Sequence, residues 1–371
     1  MQPIISTKPK DPTREHRPQE SKPKEPRSQN ISHSKIQAAL ETDGSDLGVS
    51  PEFRKIRPQF DIHLFESLPS TSTQLWQMLD KGAKAGTVAI AQQQSAGRGQ
   101  RGRIWQSEPG GLYLSLALEP DWPVHLSAQL TCFSAWGIAT AFNNLGIPVQ
   151  VKWPNDLFFQ GKKLGGILTE TKLAQKQSLE ESCIKQAVIG VGINWHNRVP
   201  QTGTSLAKIL EENAYATVQN KINCLEVLIA LVLKGILQGY YFYQQVGSQV
   251  FMKAYQNLLT QVGQLVSIEG DVVSTSGTST RNNTVDRAVD GLRTHLTNRL
   301  NSDCSGKVIG ISEEGYLQVA LHPQGDTQKS DAHSNTGCND HLRHHSKSTV
   351  AHPDNFAENL LLIRPSEIHT S

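Results

Sequence analysis

Within the seven residues Gly97-Arg98-Gly99-Gln100-Arg101-Gly102-Arg103, three glycines alternate with three arginines, and Trp105 lies two residues beyond. Glycine lets a backbone approach a ligand closely, and each guanidinium offers a planar fork of donors that fits a carboxylate or a phosphate. Such a segment orders poorly by itself and well around an anion. A solvated turn or an Arg-Gly nucleic-acid contact is the competing reading. The position between two apolar runs, Thr87–Ala91 and Leu112–Leu118, favours a lid over a site, with Gln94 just ahead of it.

Two further stretches can serve such a lid. Lys152-Trp153-Pro154-Asn155-Asp156 is followed by Lys163-Leu164-Gly165-Gly166-Ile167. Turn residues at 154–156 and 160–162 make this a hairpin, with a lysine on each arm and a glycine pair leaving room beside the second. An ammonium there can neutralise a phosphate or carboxylate as a point charge, although a lysine in a strand is as often a snorkelling surface residue. Gly190-Val191-Gly192-Ile193-Asn194 is read first as a packed strand, because Ile193-Asn194-Trp195 does not continue a dinucleotide fingerprint. No nucleophile triad order, H-E-x-x-H or P-loop is present. Several cations, amide groups and a Gly/Arg lid suit the joining or activation of negatively charged groups, by holding two anions together and excluding water.

The elements that must position these residues follow from pattern. Phe60–Phe65, Thr87–Gln92, Leu112–Leu118, the 149–170 hairpin and Ala187–Asn194 read as strands. Helices are expected from Ser70-Thr71-Ser72 to about Gly82, over about 126–145, from about Ser205, and from Ile222 to about Gln245. This predicts an α+β fold, a mixed sheet flanked by helices, over residues 59–260. Short strands at 264–268, 307–311, 316–320 and 360–364 predict a small C-terminal barrel within 261–371. Polar tracts at about 270–305 and 322–358 interrupt it and are expected to be disordered insertions; His341, His344 and His345 lie in the second without a ligand framework around them.

Residues 1–58, rich in Pro, Lys, Glu, Ser and Gln, are expected to form a disordered polar tail. The net charge of +2 gives no bulk case for nucleic acid or membrane. Five scattered cysteines without a C-x-x-C pair point to reduced thiols. With no signal-like opening and a longest apolar run of only Val227–Leu233, a cytoplasmic protein is expected.

The order and spacing of the Gly/Arg stretch with Trp105, of Lys152–Asp156, of Lys163–Ile167 and of Gly190–Asn194 resemble the biotin–protein ligases. Ser70-Thr71-Ser72 is similar to that family's Ser-Thr-Asn start, with Ser72 in place of Asn. The resemblance covers about 60–268, and more loosely 306–364. It implies a catalytic domain like those of biotin ligases and class II aminoacyl-tRNA synthetases, with an SH3-like C-terminal domain.

The implied reaction joins biotin and Mg2+-ATP into biotinyl-5′-AMP, then passes biotin to a lysine of the biotin carboxyl carrier protein of acetyl-CoA carboxylase. No tightly bound prosthetic group or protein-held metal is implied. Carried over by position, Ser70, Thr71, Ser72, Gln94, Arg98, Gly99, Gln100, Lys163, Gly165 and Gly166 would bind biotin. Arg101, Trp105, Asn155 and Asn194 would serve the nucleotide, and Lys163, Arg98 and Asp156 would carry the chemistry. Gln100 stands where some members have another arginine. Residues 1–58 show no helix-turn-helix pattern, so a monofunctional ligase without specific DNA or membrane binding is implied, as monomer or weak homodimer. Lipoate–protein ligase is the near alternative, and a nucleic-acid-binding regulator the distant one.

Overall fold

The computed structural model describes residues 31–174, 182–268, 304–321 and 360–363. Eight strands form one mixed sheet: β1 (Asp61–Leu68), β2 (Thr87–Gln94), β3 (Leu112–Leu118), β4 (Trp122–Pro123), β5 (Gln150–Lys152), β6 (Asp156–Phe159), β7 (Lys162–Ala174) and β8 (Cys183–Ile193). Their order is β1-β2-β3-β8-β7-β6-β5, with β4 against the start of β8. β1 and β2 run parallel, and the other pairs are antiparallel. β3 and the second half of β8 lie in the middle and are buried on both faces, which explains their continuous apolar runs.

The helices are α1 (His33–Glu41), α2 (Thr71–Asp80), α3 (Ser127–Asn144), α4 (Leu206–Leu210), α5 (Ala216–Lys221) and α6 (Leu225–Gln256). On α2, Leu75 and Leu79 are one turn apart and pack on Ala89, Ala117 and Val188 on one face of the sheet. α3 and α6 cover the other face. Their backbones meet where a Cβ on Gly137 would stand 2.9 Å from the Gly239 nitrogen, so small residues set that crossing. α6 runs eleven residues beyond the expected Gln245, kinking at Gly247 (φ 74°). It is long and apolar enough to cross a membrane, but 72% of its apolar window is buried inside the protein.

The expected tail needs correction. Residues 1–30 lie outside the described residues, but α1 and the turns at 44–47 and 51–53 are folded onto the core. Ile36 and Leu47 are fully buried, with Ala39, Leu40, Val49 and Phe53 close behind. Ser50 N–H donates to Gln238 Oε1 (3.0 Å), and Phe53 meets Phe242 edge-on. Mean polarity concealed a helix whose few apolar residues recur at helical spacing.

Four C-terminal strands, β9 (Leu265–Ile268), β10 (Cys304–Ile311), β11 (Leu317–Leu321) and β12 (Leu360–Ile363), form an antiparallel sheet in the order β12-β11-β10-β9. Both expected insertions lie outside the described residues, except that Cys304 and Ser305 belong to β10.

Candidate active site

A cleft of ≈ 170 Å³ opens over the middle of the large sheet. β2 ends at Gln94 and delivers the Gly/Arg stretch across its mouth. The loop is pinned at its base, where Trp105 N–H donates to Gly97 O (3.0 Å) and Gly99 N–H to Arg103 O (2.7 Å). Arg101 has a left-handed backbone (φ 56°), which puts a tight bend among the arginines.

One wall is made of small polar groups. The Ser70–Thr71 start of α2 faces the cleft, and Gln94 Oε1 accepts from the Thr71 N–H (2.8 Å). Gln94 Nε2 donates to Ser107 Oγ (2.8 Å). Ser115 of β3 hydrogen-bonds with Thr71 (2.8 Å) and with Ser72 (3.0 Å), linking three buried hydroxyls. A Cβ at Gly190 would stand 2.8 Å from Ser72 Oγ, so glycine leaves this cluster its room.

Opposite, Lys163 Nζ lies 2.7 Å from Asp156 Oδ1 and 5.2 Å from the centre of the Trp105 ring. Lys163 and Gly166 are three residues apart and would face opposite ways along a regular strand. A bulge at Leu164, where Leu157 pairs with Gly165 but Phe158 with Lys163, brings both to the cleft. Asn155 Nδ2 donates to Ile167 O (2.7 Å), fastening the Pro-Asn-Asp turn to β7. The floor is glycine: Gly166 pairs with Gly192 across β7 and β8. Trp105 lies over them, with its indole N–H buried and lacking an acceptor.

The cleft therefore gathers Ser70, Thr71, Ser72, Gln94, Arg98, Gly99, Gln100, Arg101, Trp105, Asn155, Asp156, Lys163 and Gly166. Two expected site residues are not among its lining. Gly165 faces β8, where a Cβ would stand 2.8 Å from Gly192 O. Asn194 is buried and structural: its Nδ2 donates to Thr204 O (3.1 Å), and its Oδ1 accepts from Asn197 (3.1 Å).

The sequence reading missed Ser115, whose hydroxyl lies on a strand that looks uniformly apolar. It also missed Glu170, whose Oε2 takes Arg98 Nη2 at 2.6 Å and the Trp76 indole N–H at 3.2 Å. Both pairings are set only by the fold. Beneath the cleft, burial pushes the Cys132 thiol up to about 12, which keeps it neutral and unsuited to nucleophilic work.

Arginine and lysine at the mouth, one carboxylate, and a wall of hydroxyl and amide groups suit a polar, negatively charged ligand. Residues 64–194 match the model of the biotin/lipoate A/B protein ligase family, and the chain carries a domain of that family, homologous to biotin protein ligases. The bifunctional ligase/repressor BirA of Bacillus subtilis is 29% identical over 253 residues, covering 67% of this chain and 66% of that protein. The biotin–[acetyl-CoA-carboxylase] ligase of Paracoccus denitrificans is 31% identical over 119 residues, covering 31% and 47%. Among solved structures, the Aquifex aeolicus biotin protein ligase in complex with biotin and ATP aligns at 23% identity and a TM-score of 0.46, covering 70% of this chain and 91% of that one. The chain thus spans just under two thirds of the Bacillus relative and about half of the Paracoccus one.

Proposed function

We propose that the protein is an ATP-dependent biotin–protein ligase that biotinylates the carrier protein of acetyl-CoA carboxylase. The observation that carries this is the convergence of the Arg98–Arg101 loop and Lys163 on one cleft whose far wall is Ser70, Thr71 and Gln94. Those amide and hydroxyl groups suit the ureido ring of biotin, and its carboxylate would then reach toward Lys163.

In the first step a biotin carboxylate oxygen attacks the α-phosphorus of ATP. The carboxylate–phosphorus bond forms, the bond to the β-phosphate oxygen breaks, and pyrophosphate leaves. Lys163 and Arg98 neutralise the charge that gathers on the α-phosphoryl oxygens, and the loop excludes water. Trp105 would pack near the adenine, over the Gly166 and Gly192 floor of the cleft. Magnesium enters with the nucleotide: Asp156 is the single carboxylate among the lining residues, and this hard cation draws most of its ligands from phosphate and water. In the second step the carrier lysine amine attacks the acyl carbon, the new amide forms, AMP leaves, and the amine proton is lost. Asp156 is the carboxylate available to orient that amine.

This reading also takes the four C-terminal strands as part of an SH3-like domain, and places the enzyme in the cytoplasm as a monomer or weak homodimer. Purified protein with biotin, ATP and a carrier domain should give a streptavidin-positive carrier. No transfer under conditions where another biotin ligase succeeds refutes the proposal. Because the matched family includes lipoate ligases, competing the two acids in ATP–pyrophosphate exchange decides the substrate.

A further inference from the structure

The Trp153–Asp156 turn lines the cleft; Asn155 and Asp156 are fastened to β7, whereas Trp153 and Pro154 ahead of them are held from outside the large sheet. Trp153 N–H donates to Gln261 Oε1 (3.0 Å), in the segment after α6. The Trp153 indole N–H donates to Gly315 O (3.1 Å), in the turn joining β10 to β11. Tyr255 of α6 donates its hydroxyl to Pro154 O (2.7 Å).

The β10–β11 turn is itself fixed. Glu313 O accepts from Gln129 Nε2 of α3 (2.8 Å) and Ser248 Oγ of α6 (2.9 Å), and Gln129 Oε1 accepts from the Tyr243 hydroxyl. Gly315 has φ 90° and sits against Ala128, Cys132 and Met252. Gln129 is fully buried and Gln261 nearly so, and neither lines the cleft. Buried amides spent on two backbone groups more than a hundred residues away are costly to leave unpaired, so these contacts resist displacement.

We infer that the 312–316 turn of the small C-terminal sheet, with Gln129 and Gln261, positions Asn155 and Asp156 for the reaction. The C-terminal sheet is then part of the active-site frame. Gln129 and Gln261 are positioning residues: they act through Trp153 and touch no substrate. This rests on the ligase reading for its catalytic consequence only.

The test has two arms. In biotin-dependent ATP–pyrophosphate exchange, Gln261→Met, which keeps the volume and loses the acceptor, should lower kcat about tenfold and leave KM for biotin within twofold. Gln261→Glu, which keeps an acceptor, should recover kcat to within threefold of the parent. In the free protein, Gln129→Met should raise amide hydrogen exchange at Trp153, Asn155 and Asp156 about tenfold, although Gln129 hydrogen-bonds to Ser248, Glu313 and Tyr243 and not to these residues. Unchanged exchange there, or unchanged kcat in Gln261→Met, overturns the inference. An inactive parent protein instead refutes the ligase reading, and the exchange arm still decides the positioning. Should Gln129→Met fail to fold, Gln261→Met read at residues 312–316 replaces it, with the same outcomes.

Discussion

Gly192→Ala places one methyl group on the floor of the cleft and tests whether the Trp105 ring works where it lies. A Cβ at Gly192 would stand 2.6 Å from Trp105 Cε2. Carbon atoms rest at about 3.5 Å or more, so the ring must retreat by about 1 Å. The methyl would rise from the glycine floor beneath the ring, so the ring moves off that floor toward the cleft. Trp105 belongs to a loop rather than the core, so the strain is relieved by movement, and the melting temperature should change little. Misplacing a substrate-facing group by about 1 Å costs on the order of 100-fold. The expected result in biotin-dependent pyrophosphate exchange is therefore a fall of about 100-fold in kcat/KM, near 2.7 kcal/mol. In a Trp105→Ala background the three atoms nearest that methyl, all of the indole, are removed, so the same change should cost much less. A loss below threefold, or an undiminished loss in that background, refutes the reasoning.

Three further outcomes are expected. Lys163→Ala should lower adenylate formation by at least tenfold, about 1.4 kcal/mol; a smaller loss by pyrophosphate exchange removes Lys163 from charge neutralisation. Glu170→Gln should loosen the loop by weakening the Arg98 ion pair. A pair this exposed contributes about 0.5–1 kcal/mol, so tryptic cleavage within 97–103 should quicken about two- to fivefold without ligand, and equal rates refute the tether. Ile36→Ala should cost about 2–4 kcal/mol in chemical denaturation, as for a fully buried side chain; a cost under about 0.5 kcal/mol would mean that α1 is not part of the core.

The hairpin from Gln150 to Ile167 and the buried strands β3 and β8 were legible because alternation, apolar runs and turn residues are local signals. The meeting of Lys163 with the Gly/Arg loop was legible only through the order and spacing of several motifs together. What escaped depends on distant partners. Ser115 looks like one polar residue in an apolar strand until α2 brings Thr71 and Ser72 to it. Glu170 gains meaning only when the loop folds back. Asn194 belongs to a motif but turns its side chain to the 197–204 loop, where buried backbone needs a partner. The N-terminal helix was lost to averaging, since the six buried apolar residues are spread among polar neighbours from Ile36 to Phe53.

That helix also fixes an order of events during synthesis. Ser32 N–H donates to Glu226 Oε1, 194 residues away, and Thr42 O accepts from Lys234 Nζ (3.1 Å), 192 residues away. Ile36 and Leu40 therefore leave the ribosome well before α6, the helix on which α1 packs. Contacts this distant in sequence form late, and the waiting segment is exposed for as long as the ribosome needs to reach them. The sparse apolar content and charged flanks of residues 31–58 suit a segment that must stay soluble through that interval, so the polarity that hid the helix is what lets it wait.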